Sequence, residues 1–325
     1  MKRWVASAAT TLGEVLVQIG LDEITARQAL TDGRIFVGRM RARSFDDRVA
    51  ISDEVLVHEA RAQVTLPDPF VLLRARGVVA VDKPSGMPTV PDLEGVSGTL
   101  IEATARAISR PIDTLHATSR LDRDVSGVVT FAEDERARAR LADARARDAY
   151  RRLYLAIGTG DLARDRDRWT WGVARDRDPM RRKAVDDDSG KASSSRVAVM
   201  RRGRVGATHY VLLALAPETG RTHQLRVHAA RAGVPLLGDA LYGGGRRLTT
   251  SNGAVRSVAR IALHCLAVDV DLEADLEANR GAHRGDDWKI RVRSPVPPEL
   301  VALAKGAGLC QDTDDLLEEA LRCSP

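Results

Sequence analysis

The sequence predicts an α+β protein, with a mixed, largely antiparallel central sheet and flanking helices, preceded by a small N-terminal α/β domain. Two observations carry this expectation. Short β-rich runs at residues 78–81, 128–131, 154–157, 197–200 and 210–215 follow one another with few helices between them, which favours antiparallel pairing over a doubly wound parallel sheet. A first cluster of elements also ends at Pro67 and Pro69, so the chain divides into residues 1–66, 67–300 and a C-terminal tail at 301–325.

In the first segment, Leu12, Val15, Leu16 and Ile19 recur at helical spacing and Gly20 stops the turn. Residues 24–30 predict a second short helix closed near Gly33, and residues 35–37 and 55–57 predict strands. Between the strands lies a basic loop containing Arg39, Arg41 and Arg43, with Arg34 close by. Beyond the prolines, residues 78–81 read as a buried strand ended by the turn Asp82-Lys83-Pro84-Ser85-Gly86. The alanines and arginines of 135–149 favour a helix with a solvated face. Trp169 and Trp171 are expected on one alternating strand. Residues 271–287 are polar and read as an insertion or mobile loop.

Composition narrows the function classes. The 325 residues can bury a sizeable core, and the formal charge of +5 comes mostly from arginine, whose fork suits phosphate and base edges. Three widely spaced cysteines, Cys265, Cys310 and Cys323, give neither zinc spacing nor a disulfide framework. No apolar run reaches the roughly 18 residues of a membrane span, and residues 1–5 are not followed by a secretory signal. The chain is therefore expected in the cytoplasm, without a membrane partner. It carries no dinucleotide fingerprint and no phosphate loop.

Two dense stretches could do chemistry. In Ser119-Arg120-Leu121-Asp122-Arg123, an extended backbone would set Arg120 and Asp122 on one face and turn Leu121 to the core. A carboxylate beside an arginine stays charged, which suits Asp122 to act as nucleophile or base. In TGRTHQLRVHAARAG, Gly220 permits a sharp turn and Thr222 is a plausible cap for a helix starting at about His223. That would set Arg221 at the helix entrance, a position that attracts anions. His223 and His228 lack metal-ligand spacing and read as hydrogen-bonded structural histidines, so no metal is expected; Asp124, His116 and His264 are also read as structural.

These residues carry a resemblance. RLDRDVSG, TGRTHQLRVHAARAGVPLLGDALYG, RRLYLAIGTG and VVAVDKPSGMPTV, with weaker matches at GKASSSRV and RIALHCLAV, are similar to the signature segments of the RluA-type RNA pseudouridine synthases over about residues 78–300. The N-terminal fifty residues resemble the small RNA-binding domain of ribosomal small-subunit protein four, although Gly38-Arg39-Met40 replaces that domain's usual Asn-Gly-Lys turn. The resemblance implies isomerisation of uridine to pseudouridine in structured RNA, ribosomal most of all or else transfer RNA, without nucleotide cofactor or metal. It makes Asp122 the catalytic aspartate, Arg221 its basic partner and Tyr154 the residue that packs on the base. It also makes Arg120 the side chain that fills the gap left by that base.

The resemblance further implies that Lys83, Gly86, Gly220, His223, Gln224 and Arg226 support these motifs, and that Arg34, Arg39, Arg41 and Arg43 hold RNA. A monomer is expected. Alternation along 152–157 agrees with the role of Tyr154, since it turns the aliphatic side chains to the core and Tyr154 to a cleft. Whether Asp122 attacks the anomeric carbon, adds to carbon 6 or removes a ribose proton is open, and every route uses the carboxylate. Ser119 stands where the family has histidine, and Arg152 where lysine is common. Ser119 supports a second reading, a catalytically silent RNA-binding or ribosome-assembly factor that keeps the fold.

Overall fold

The computed structural model describes residues 2–31, 35–38, 40–42, 44–57, 68–91, 98–178, 180–250, 253–272, 289–311 and 315–325. Arg34, Arg39 and Arg43, and nearly all of the polar segment 271–287, lie outside them, as does the side chain of Arg41. Contacts group Met1–Asp68 with Val90–Ala103 as one compact unit, and Pro69–Thr89 with Thr104–Pro325 as another.

The first unit contains β1 (Lys2–Val5), β2 (Thr10–Thr11), α1 (Leu12–Gln18), α2 (Glu23–Thr31), β3 (Ile35–Val37), β4 (Met40–Arg41), β5 (Arg48–Val49) and β6 (Glu54–Val57). Its antiparallel sheet runs β1-β6-β3-β4, with β2 and β5 paired separately. Helix α1 starts where expected because Thr11 and Glu14 form a capping box, each side chain accepting the other's backbone N–H. The predicted apolar stripe, Leu12, Val15 and Leu16, is buried with Ala26, Ala29, Ile35, Val49 and Val55.

The second unit begins with β7 (Phe70–Ala75) and β8 (Val78–Lys83), and α3 (Leu100–Ala107) lies where the chain passes back into it. There follow β9 (His116–Ala117), β10 (Ser126–Ala132), α4 (Glu135–Ala146), β11 (Tyr150–Thr159), β12 (Arg166–Trp169), β13 (Gly172–Arg175) and β14 (Arg182–Val185). The order continues with β15 (Ser195–Val205), β16 (Thr208–Pro217), α5 (Gln224–Arg231), β17 (Arg247–Thr249), β18 (Val255–Ser257), β19 (Leu263–Asp271), β20 (Lys289–Arg293), α6 (Pro298–Gly306) and α7 (Leu316–Cys323).

Ten of these strands form one sheet in the order β12-β15-β16-β11-β19-β10-β8-β7, with β20 added to β19 and β9 to β10. Among the described residues only β10 and β19 pair in parallel within it, so the sheet is mixed and largely antiparallel, as expected. Strand β10 is buried along its whole length, which is why its sequence reads as a continuous apolar run instead of an alternating one. Gly127 sits at the parallel junction with φ +112, and a Cβ there would fall 2.2 Å from the carbonyl oxygen of Cys265. Only glycine fits that approach.

Two expectations need correction. The segment 301–325 is not a tail: Leu303, Ala304, Ala307, Leu309, Leu316 and Ala320 belong to the same buried cluster as Leu155, Ile157 and Leu212. Trp171 does not share a strand with Trp169, because β12 ends at Trp169 and β13 begins at Gly172. The two rings still stack at 6.4 Å. Helix α4 is as predicted: Asp134 caps it by accepting the Ala137 N–H, and Ala137, Leu141 and Ala144 form its one buried face. Among the described residues no helix is long and apolar enough to cross a membrane.

Candidate active site

Asp122 lies on the loop entering β10, and the turn after β8 clamps that loop. Thr89 Oγ1 accepts the Leu121 N–H at 3.1 Å and donates to the Leu121 carbonyl at 2.9 Å, which holds Leu121 inward. Lys83 is fully buried, and its Nζ donates to the carbonyls of Pro84, Arg123 and Val125 at 2.7–2.9 Å. Burial pushes its pKa down to about 7, while three acceptors for three N–H bonds favour the ammonium form. The Gly86 N–H bonds to the Arg123 carbonyl, and Arg123 Nε donates back to the Gly86 carbonyl. The Lys-Pro-Ser-Gly motif thus fixes the carboxylate loop. At its start, Ser119 Oγ accepts the Thr130 N–H at 3.2 Å, so serine satisfies the strand edge there.

Helix α5 faces this loop from a polar bed. Its first residue, Gln224, donates to the Ser194 carbonyl and Ser195 Oγ, and accepts from the Arg221 N–H and Thr219 Oγ1. One turn on, buried His228 lies 3.1 Å from Ser195 Oγ through Nδ1, while Nε2 is 3.0 Å from both Ser193 Oγ and the Trp171 carbonyl. The Ser193–Ser195 stretch, a weak motif in sequence, is therefore the seat of the helix. The cap is His223, not Thr222: it takes the left-handed conformation at φ +58, and its carbonyl accepts the Val227 N–H. The sharp turn expected of Gly220 falls on His223 instead.

That turn decides which arginine meets the carboxylate. Arg226, not Arg221, pairs with Asp122, with Nη1 to Oδ2 at 2.9 Å. Arg221 precedes the turn and stays on the exposed rim, where its Nε donates to the Ala192 carbonyl at 3.1 Å. Arg226 is 8% exposed and is gripped from behind by Asp239. Burial opposes its charge, yet hydrogen bonds from Asp239 and the charges of both aspartates hold its pKa above the ordinary value.

Arg120, Asp122, Arg152, Tyr154, Arg221, His223 and Arg226 line one open cavity of about 80 Å³, several times the space a water requires. Tyr154 points into it, while Leu153, Leu155 and Ile157 enter the core; a bulge between Leu153 and Tyr154 against β19 marks the change. Burial, with Cys265 against it, pushes the phenol well above its usual range, partly opposed by Arg152. At neutral pH the ring therefore offers a neutral hydroxyl and an apolar face. Arg152 Nη2 donates to the Thr219 carbonyl at 3.0 Å, tying β11 to the segment before α5.

Beyond Arg221 the cavity meets a wider groove of about 610 Å³ lined by Arg175, Arg182, Lys183 and Lys191. Asp239 and Tyr242, which complete the site, were not singled out from sequence. One signal was available: an arginine amid Leu225, Val227 and Ala229 on a buried helix needs a carboxylate partner, and Gly-Asp follows 12 residues on.

Residues 77–231 match the family described as RNA pseudouridylate synthase. The Bacillus subtilis protein named as the uncharacterized RNA pseudouridine synthase YhcT is 31% identical over 240 residues, covering 71% of this chain and 77% of that one. The ribosomal large subunit pseudouridine synthase D of Xanthomonas campestris is 31% identical over 304 residues, covering 86% of this chain and 81% of its own. In fold, the chain is similar to human RNA pseudouridylate synthase domain containing 1, with a TM-score of 0.57 and 22% identity over 82% of this chain and 99% of that one.

Proposed function

The chain belongs to the RNA pseudouridylate synthases, enzymes that isomerise uridine in RNA to pseudouridine, and from that premise we propose that Asp122 is its catalytic carboxylate and ribosomal RNA its substrate. The observation that carries the first half is the ion pair of Asp122 with Arg226 at the wall of a cleft shared with Tyr154. The second half is supported by relatives named for the large ribosomal subunit.

The reaction breaks the bond from C1′ to N1, turns the detached uracil and joins C1′ to C5. C5 loses a proton and N1 ends with one, so the change is redox-neutral and needs no cofactor. A uridine in structured RNA must leave its stack first, at a cost of a few kcal/mol. Arg120, at the cleft mouth, is proposed to enter the vacated position, where a guanidinium recovers part of that cost by stacking and phosphate attraction. Tyr154 offers its ring face to the extruded base. Arg226 keeps its charge next to Asp122 and stabilises the carboxylate each time it is released.

Arg221 leaves the ion pair free for another role. With Arg175, Lys183 and Lys191 along the adjoining groove, it is proposed to follow the RNA backbone on either side of the target nucleotide, an affinity that weakens with salt. The N-terminal unit, with Arg34, Arg39, Arg41 and Arg43 in and beside its basic loop, is proposed to add a second grip.

The test is release of tritium from RNA labelled at uridine C5, together with chemical mapping of pseudouridine in ribosomal and transfer RNA with and without the gene. Asp122→Asn should bind RNA and release no tritium. Release equal to that of the unaltered enzyme would reject the role of Asp122, and a missing modification confined to transfer RNA would reject the ribosomal substrate.

A further inference from the structure

His223 faces the same carboxylate oxygen as Arg226, with Nε2 3.8 Å from Asp122 Oδ2. Its other nitrogen, Nδ1, lies 2.8 Å from the hydroxyl of Tyr242, and the two rings meet edge to face at 5.7 Å. The Tyr242 oxygen also accepts the backbone N–H of Arg182, on β14, at 2.8 Å. That bond uses one lone pair of the Tyr242 oxygen and leaves its proton to be placed. Tyr242 is 9% exposed, and among the described residues its own proton has no acceptor except His223 Nδ1. A buried hydroxyl proton without an acceptor is costly, so Tyr242 donates to Nδ1. The imidazole must then carry its hydrogen on Nε2, the nitrogen that faces Asp122.

We propose that His223 is a positioning residue for Asp122, its Nε2–H tautomer locked by Tyr242 so that it closes onto Oδ2 when RNA fills the cleft and leaves Oδ1 for the substrate. The role rests on Asp122 being the catalytic group. Three further observations support it. Burial lowers the His223 pKa, so the ring is neutral at physiological pH and can hold one defined tautomer; the charges of Asp122 and Arg226 oppose one another there. His223 is also held at φ +58 at the start of α5, which anchors its backbone to the helix that carries Arg226. Among the described residues no hydrogen bond reaches Asp122 Oδ1, since the Arg226 bond and the His223 approach both fall on Oδ2. A gap of 3.8 Å exceeds a hydrogen bond, and such contacts commonly tighten only in the complex.

The lock also ties the site to the β13–β14 hairpin, whose basic side chains line the adjoining groove. The Arg182 N–H sets the Tyr242 hydroxyl, Tyr242 sets the ring and the ring sets the carboxylate. Arg226 is held in the same frame, with its guanidinium carbon 5.0 Å from the centre of the Tyr242 ring.

Glutamine and asparagine separate positioning from bulk, because the glutamine amide nitrogen reaches the place of Nε2 and that of asparagine only the place of Nδ1. His223→Gln, His223→Asn and Tyr242→Phe are compared with the unaltered enzyme by kcat and KM for tritium release from 5-tritiated ribosomal RNA made by transcription. The His223 tautomer is read by long-range nitrogen NMR on each full-length protein without RNA. The expected result is an Nε2–H tautomer in the unaltered protein and a mixture in Tyr242→Phe. His223→Asn should lower kcat about 10- to 100-fold with KM within about twofold, and His223→Gln should stay within about threefold in kcat. An Nδ1–H tautomer in the unaltered protein, or equal kcat in the two His223 variants, overturns the proposal. If the unaltered enzyme releases no tritium from this RNA, the choice of substrate fails, and the tautomer decides the lock by itself.

Discussion

Arg226 and Asp239 form a two-pronged ion pair, Nε to Oδ2 at 2.7 Å and Nη2 to Oδ1 at 2.8 Å, and the far end of the guanidinium reaches Asp122 through Nη1. A planar fork held by two bonds along one edge cannot rotate, so its end presents one direction to the cleft. Asp239 is 1% exposed, so any influence it has on the cleft passes through Arg226.

Asp239→Asn should therefore weaken catalysis and the fold together. Removing one partner of a buried pair costs about 3–5 kcal/mol, and a guanidinium free to swing misplaces Asp122, which lowers kcat by about 100-fold. Urea denaturation and tritium release measure the two losses. Full activity in this variant would show that Arg226 needs no second carboxylate.

Gly127→Ala should destabilise by about 2 kcal/mol or more, since it combines a backbone angle that L side chains rarely adopt with a clash against the Cys265 carbonyl. Gly127 follows the carboxylate loop by a few residues, so the strain should also reach Asp122. Thermal melting and kcat, measured on the same preparation, should fall together.

His264 should make the fold acid-sensitive. It is fully buried between Ser126 and Ser294, and burial, followed by the charge of Arg260, pushes its pKa down to about 3. The ordinary value is about 6.5, so between these pH values the unfolded chain binds a proton that the folded one refuses. The stability contribution is complete above pH 6.5 and is lost progressively as pH falls towards 3, reaching about 3 kcal/mol at pH 4.5. His264→Gln should shrink the drop in melting temperature between pH 7 and pH 4.5. Asp82, whose carboxyl is raised by burial, accepts from Ser294 in the same cluster and shares that hydroxyl with His264.

Much of the site was legible in local pattern. Period two along β11 separates Tyr154 from Leu153 and Leu155, and turn chemistry marks the Lys83–Gly86 clamp, because both depend on near neighbours in the chain. The partner of Asp122 was not legible in the same way. Arg226 lies 104 positions away, and the choice between it and Arg221 depends on the left-handed turn at His223, which a histidine does not announce. The lock by Tyr242 depends on a backbone N–H 60 positions earlier. The C-terminal helices are a different case: Leu300, Leu303, Ala304 and Ala307 recur at helical spacing, yet the pattern is short and shows no partner until β11 and β16 are placed beside it.

Those helices give the order of synthesis a physical meaning. The strands bearing Tyr154 and its neighbours leave the ribosome before α6 and α7, so the buried cluster they share with those helices is completed only after the helices emerge. Strand β11 must wait in the same way for β19, its partner on one side. A nascent chain that already contains Asp122, Arg226 and His223 therefore lacks the scaffold that aligns them.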